Sequence, residues 1–378
     1  MLRMPRRETL IFWGPPLIAT FIAWVVFLII GETSLIRATG LALVIMGVAS
    51  THRQWGTIQS IVGGLALAFS PAIWSQTSSI ASTSPLIIVF GLIASAMVVL
   101  LILRFKNVPY LGLGIGLLIF ALIFWILIGT PRSLRLSGLL SAWILFLLVD
   151  ALRISNPRPE EKPASKIDDQ HIYGLLILLV TGVLNDPSFI LLAPAVALGL
   201  WLSWTPLPRW YWMVVLAIVV IGIRGIVVTY ISGDWWGVSA LETHATGLQF
   251  PYLVADGWRE GERWIDIIAL MTNQYTILGA GLSVLGLARM ARWYPILGIV
   301  TMVAFGFYAL FGLMYFGEDR EALLLPVFII QSIWLTYAIH SIGQWLDKTL
   351  TPATQIAHRG VTIAYMLLPI YALINQLE

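Results

Sequence analysis

The feature that most constrains this chain is a succession of apolar stretches, each near the length of a membrane span. They cover residues 10–30, 34–49, 57–74, 84–103, 109–129, 135–152, 172–184, 187–203, 210–229, 268–287, 293–315, 321–346 and 359–375. About 20 residues at a rise of 1.5 Å cross a hydrocarbon core of ~30 Å. Inside lipid every backbone N–H and C=O must find a partner within the protein, so such runs become helices. The expected fold is all-α, a polytopic membrane protein with about 11–13 transmembrane helices. The stretches 34–49, 57–74 and 172–184 are short enough to be tilted or re-entrant.

Composition agrees. Hydrophobic residues make up 59% and charged residues 11% of the 378, less than half the charge of a soluble domain at roughly 25%. There is no cysteine, which excludes disulfides, thiolate metal sites and a cysteine nucleophile. A net charge of +3 is too small to point to nucleic acid. The first stretch follows Arg3, Arg6 and Arg7 but is long and has no small-residue cleavage site. It is expected to be a retained helix and not a signal peptide.

Lysine and arginine orient the spans. With the N-terminus in the cytoplasm, fifteen of the 22 basic residues fall on the inside and six on the outside, Arg224 lying within a helix. The loop TPRSLR, 130–135, goes against the bias. The expected location is the cell inner membrane, multi-pass. Two helical halves are expected, 1–152 and 172–378, joined by a Pro- and charge-rich cytoplasmic linker at 153–171. No low-complexity tract or fixed-period repeat interrupts them.

The second long polar stretch, 231–266, is outside in this orientation. It carries Trp235, Trp236, Trp258 and Trp264 together with Asp234, Glu242, Asp256, Glu260, Glu262, Asp266 and His244. Carboxylates beside indole faces suit sugars: acids bond hydroxyls, and rings pack on apolar sugar faces. The ordinary alternative is interfacial tryptophan anchoring on a solvated loop. As a whole the loop is expected to fold as a lid or vestibule. Arg224 in VVIGIRGIVV is an intramembrane cation, which is a functional candidate by default. It could meet a lipid phosphate, snorkel, or pair with Asp234 or Glu318. Asp150 and Arg153 share a helix face at i, i+3 and are expected to form a local surface pair. The five histidines lack metal-binding spacing, and GLGIG at 112–116 is a helix-packing pattern, not a phosphate loop. In GEDREALLLPVF, 317–328, Glu318 and Asp319 are expected to cap a helix starting near Arg320, where its dipole favours acids.

Four stretches together resemble a known family. SPAIWSQTSSIASTSPLIIVFGLI at 70–93 has the Trp-Ser-Gln step, and GVLNDPSFILLAPAVALGLWLSW at 182–204 has a polar turn before a Leu-Leu-x-Pro-Ala run. YTILGAGLSVLGLARMAR at 275–292 is a glycine-leucine helix ending in a basic turn, and FGEDREALLLPVFIIQSIWLTYAI at 316–339 sets an acidic turn before a Leu-x-Pro helix. In order and spacing they are similar to bacterial protein O-mannosyltransferase-like membrane proteins, near glycosyltransferase family 39 of the GT-C superfamily.

The resemblance implies inverting transfer of a sugar from a polyprenyl-phosphate donor to an acceptor on the outer face. A carboxylate of the first outer loop would act as base, sometimes with help from a divalent metal; no other cofactor is required. That loop is here only GETSLIR, 31–37, so Glu32 is the one candidate base in it, with an acid of 231–266 as the alternative base. Arg224, Asp234, Trp235, Trp236, Glu318, Asp319 and Arg320 are the candidate substrate contacts. The shortened loop supports an alternative: a catalytically degenerate relative acting as a structural subunit of a larger membrane complex, photosynthetic or respiratory. A transporter is the third reading, and it needs broken helices and polar groups at the bilayer midplane. The expected partners are membrane lipids, the lipid-linked sugar if the chain is active, and other subunits if it is not.

Overall fold

The computed structural model describes residues 7–77, 134–155, 167, 169–203, 207–231, 234–235, 238–239, 253–317, 320–349 and 354–377. The stretches 84–103 and 109–129, the pattern at 112–116, the basic residues before position 7, residues 130–133 and most of the linker lie outside them. So do Trp236, Glu242, His244, Glu318 and Asp319.

The chain is an all-α, multi-pass membrane protein. Among the described residues the helices are α1 (Arg7–Ile29), α2 (Leu35–His52), α3 (Thr57–Ala68), α4 (Pro71–Trp74), α5 (Leu134–Ser155), α6 (Asp169–Asn185), α7 (Ala193–Leu202), α8 (Arg209–Ile226), α9 (Gly261–Trp293), α10 (Pro295–Met314), α11 (Arg320–Leu323), α12 (Leu325–Thr349) and α13 (Thr354–Leu377). Short 3-10 turns precede α3 and α7, and a π-helical turn, Val227–Ile231, prolongs α8. The described strands are a two-residue hairpin, β1 (Asp234–Trp235) with β2 (Val238–Ser239), pairing Asp234 with Ser239 and Trp235 with Val238. Seven of the described helices are long and apolar enough to cross a membrane.

α12 is the centre of the bundle. It packs on α2, α3, α5, α9, α10 and α13, and its contact with α9 is the most extensive between any two of the described helices. That contact is close because of Gly286, where an added Cβ would overlap the backbone carbonyl of Trp334. Small residues permit such approach where lipid gives no hydrophobic drive to helix association.

The interior is lined with polar groups that bond to one another. Thr336 Oγ1 and Tyr365 OH are 2.8 Å apart, Ser332 Oγ lies 3.3 Å from His52 Nε2, and Trp334 Nε1 donates to Thr301 Oγ1 at 3.0 Å. Ser60 Oγ donates to the Ala49 carbonyl at 2.7 Å.

The expected 268–287 span is not a simple helix. α9 is broken at Tyr275 (φ −135°, ψ 21°) and Thr276 (φ 64°, ψ 167°). The break is supported from α12: Gln331 Nε2 donates to the freed Met271 carbonyl at 3.0 Å, and Tyr275 OH donates to the Phe328 carbonyl at 3.0 Å. Thr276 Oγ1 then accepts from Gly279 N at 3.4 Å, capping the second segment. That segment, 277–293, spans about 26 Å at 1.5 Å per residue, close to a bilayer core. The first segment buries Arg263, Ile267 and Gln274 and exposes Glu262, Trp264, Ile265, Asp266 and Ile268, the pattern of a helix lying along an interface.

Candidate functional site

Tertiary contacts sort the connections into two ends. At one, the Glu32 end, Gly31 packs against Thr77, Ala72 N donates to Gln274 Oε1 at 2.9 Å, Tyr230 OH donates to Asp186 Oδ1 at 2.8 Å, and Leu253 bridges to Tyr315. At the other, the His171 end, Asp150 meets Arg53 and His171, Tyr173 stacks on Trp210 with ring centres 6.1 Å apart, and Arg289 reaches Ser341. This segregation is what alternating spans produce.

Glu32 sits just past α1. The amides of Ile30 and Gly31 return to the Val26 carbonyl at 2.8 and 3.1 Å, and that of Thr33 to the Phe27 carbonyl at 3.1 Å. The Thr33 bond closes seven residues, 27–33, and within them Glu32 turns left-handed, a conformation usually held by glycine or asparagine. Glu32 holds it with φ 45°, and its side chain is exposed. A side chain there is disfavoured by about 1–2 kcal/mol. The adjoining turn is Trp74, Ser75, Gln76 and Thr77, brought in by Gly31 against Thr77 and by the Phe27 and Trp74 rings at 6.3 Å.

Arg320 begins α11, as expected, but its guanidinium is engaged: Nη2 lies 3.5 Å from Asp266 Oδ2 on the interfacial segment of α9. Arg224 is on the exposed face of α8, beside Ile221 and Ile223. Asp234 and Trp235 are the β1 strand, at the same end. Trp236, Glu318 and Asp319 are outside the described residues, and with them the capping expectation. The site candidates that are described thus gather at one end. Among the described residues Glu32 makes no hydrogen bond or ion pair with Arg224 or Arg320.

The described parts of 231–266 are folded onto α10. Arg263 donates Nε to the Leu313 carbonyl at 2.5 Å and Nη2 to the carbonyls of Gly312 and Tyr315, while its guanidinium lies 3.6 Å from the Phe316 ring centre. A cation on the terminal carbonyls of a helix satisfies both its orphan acceptors and its dipole. Asp186 is fully buried and accepts from Ser188 N at 2.8 Å as well as from Tyr230. Tyr230 packs edge-on against Phe311 and Tyr315.

The expected surface pair of Asp150 and Arg153 is corrected. Asp150 is buried and bonds across the bundle, to Arg53 at 3.7 Å and His171 at 3.2 Å. Arg153 donates to the Gln54 carbonyl at 2.8 Å. Both side chains of that helix face reach for the α2–α3 turn, where Arg53 also lies over the Phe12 ring at 2.9 Å. Sequence reasoning missed this cluster, Arg263 and Asp186. A buried carboxylate at a span end, with Arg53 and His171 in facing turns of like topology, was the available signal for the first; nothing local marked the other two.

Among the described residues no three His, Asp or Glu side chains converge as metal ligands would. Comparison with known protein families, with curated proteins and with solved structures finds no match to this chain.

Proposed function

We propose that this chain is an integral-membrane glycosyltransferase of GT-C type, moving a sugar from a polyprenyl-phosphate donor to an acceptor hydroxyl. The observation that carries the reading is Glu32, an exposed carboxylate retained in a left-handed turn where glycine would relax the backbone. Strained residues of this kind cluster at functional sites. In the reaction Glu32 takes the proton of the acceptor hydroxyl as its oxygen attacks the anomeric carbon. The bond from that carbon to the phosphate oxygen breaks, and the lipid phosphate leaves with the electron pair. Arg320 receives it at that end, exchanging Asp266 for phosphate, and Arg224 meets it from the membrane side. The proposed orientation puts the Glu32 end outside and the N-terminus in the cytoplasm of an inner membrane.

Purified protein incubated with a labelled polyprenyl-phosphate sugar and membrane acceptors should transfer label. Glu32→Gln should slow transfer by about 10²–10⁴-fold, the usual worth of a general base. The alternative, a degenerate structural subunit, is favoured by one observation: Arg320 is already paired with Asp266, and Arg224 faces outward, so neither is directed at Glu32. That reading predicts no transfer by the wild type and co-purification with stoichiometric membrane partners.

A further inference from the structure

At the His171 end the last turns of α9 and α12 part around a cavity of about 270 Å³, lined by Arg289, Arg292, Lys348, Ser341 and the rings of Trp293 and Trp345. Ligand cavities run roughly 300–1,000 Å³, so this one suits a small headgroup. We propose that it is a binding site for the phosphate of an anionic phospholipid.

The cations are not used up by the fold. Arg289 fixes Nη1 on Ser341, 2.6 Å from its hydroxyl and 3.1 Å from its carbonyl, and its other N–H groups make no further hydrogen bond among the described residues. Arg292 lies 5.8 Å from the Trp293 ring centre, and neither it nor Lys348 forms an ion pair among the described residues. The nearest carboxylate in sequence, Asp347, is exposed and does not line the cavity. Two helix C-termini meet here, and their carbonyls attract cations. Arg292 and Lys348 lie in those last turns and open on the same space, while Arg289 takes the carbonyl of Ser341, about two turns before the end of α12.

The lipid, and not a free ion, is indicated by what flanks the cavity. Trp293 and Trp345 are 45% and 53% exposed, the amphipathic rings that mark the headgroup level of a bilayer. One turn deeper on α9, Val284 and Leu285 are 65% and 41% exposed, an apolar wall for acyl chains directly below the charges. Basic pockets between spanning helices hold anionic headgroups in this way. The inference stands apart from the transferase reading, whose site is at the opposite end.

The test is native mass spectrometry of the full chain released from nanodiscs of mixed phosphatidylcholine and phosphatidylglycerol. The wild type should retain phosphatidylglycerol in preference, and R292Q/K348Q should lose that preference by about fivefold for each charge removed. The charge-keeping R292K/K348R should restore it, and thermal unfolding of each variant shows whether it is folded. Unchanged retention in folded R292Q/K348Q would overturn the proposal. So would an equal loss in R209Q, which removes a cation of the same end outside the cavity, or displacement of the lipid by excess inorganic phosphate.

Discussion

Two long helices of this protein are ordered oppositely to a soluble core. The spanning window of α12 is 89% buried with a mean hydropathy of 1.4, whereas that of α8 is 33% buried with a mean hydropathy of 2.6. In water the apolar face would be the hidden one. Here the surroundings of α8 are as apolar as its side chains, so Met213, Leu216 and Val220 stay outward. The groups that cannot face hydrocarbon, Gln331, Ser332 and Thr336, are collected inside on α12. α13 has the same mean hydropathy as α12 but is 22% buried. It fits the rule residue by residue, since Thr362 and Tyr365 are buried while Ile363, Leu367 and Ile370 are exposed. Burial in this fold follows polarity and close packing.

The comparison can be broken by substitution, beginning where the largest loss is expected. Asp150→Ala strands Arg53 in a buried cluster and should destabilise by about 3–5 kcal/mol, read by unfolding in detergent. Gly286→Leu forces α9 away from the Trp334 carbonyl and should cost about 1–3 kcal/mol. Thr336→Val with Tyr365→Phe, run as a double-mutant cycle, should show a coupling of about 0.6 kcal/mol, the average for an interhelical bond in a membrane protein. Leu216→Ala on the exposed face of α8 should stay within about 0.5 kcal/mol. A Leu216→Ala loss as large as that of Gly286→Leu would mean that α8 is covered by protein, which would speak for the subunit reading.

Much of the fold was legible in the residues. Hydropathy marked the seven described helices long and apolar enough to span, with the ends of α5, α8, α10 and α13 within a few residues of the expected limits, whereas 187–203 is divided into a 3-10 turn and the short α7. The stretch 57–74, expected as one span, instead stops at Ala68 and restarts at Pro71 as α4. The break in α9 was not legible, because YTILGAG is an unbroken apolar run. The distortion is made by Gln331 and Phe328, more than fifty positions later. The pairing of Asp150 was misread for a related reason. An arginine three residues on offered a local partner, while the real one, Arg53, is close only once α2 and α5 are packed.

Of the candidate site, the sequence located the end of the bundle and the residue types. It did not reveal that Arg320 is held by Asp266 or that Glu32 occupies a left-handed cap. Both depend on backbone geometry that composition does not encode.

Glu32 is therefore where the account is most exposed. Glycine at this position relieves the turn and removes the base in one step. For Glu32→Gly the account predicts stability raised by about 1 kcal/mol and sugar transfer from a polyprenyl-phosphate donor lost in the same preparation. Transfer at the wild-type rate in the stabilised variant, or no transfer by the wild type, would contradict it.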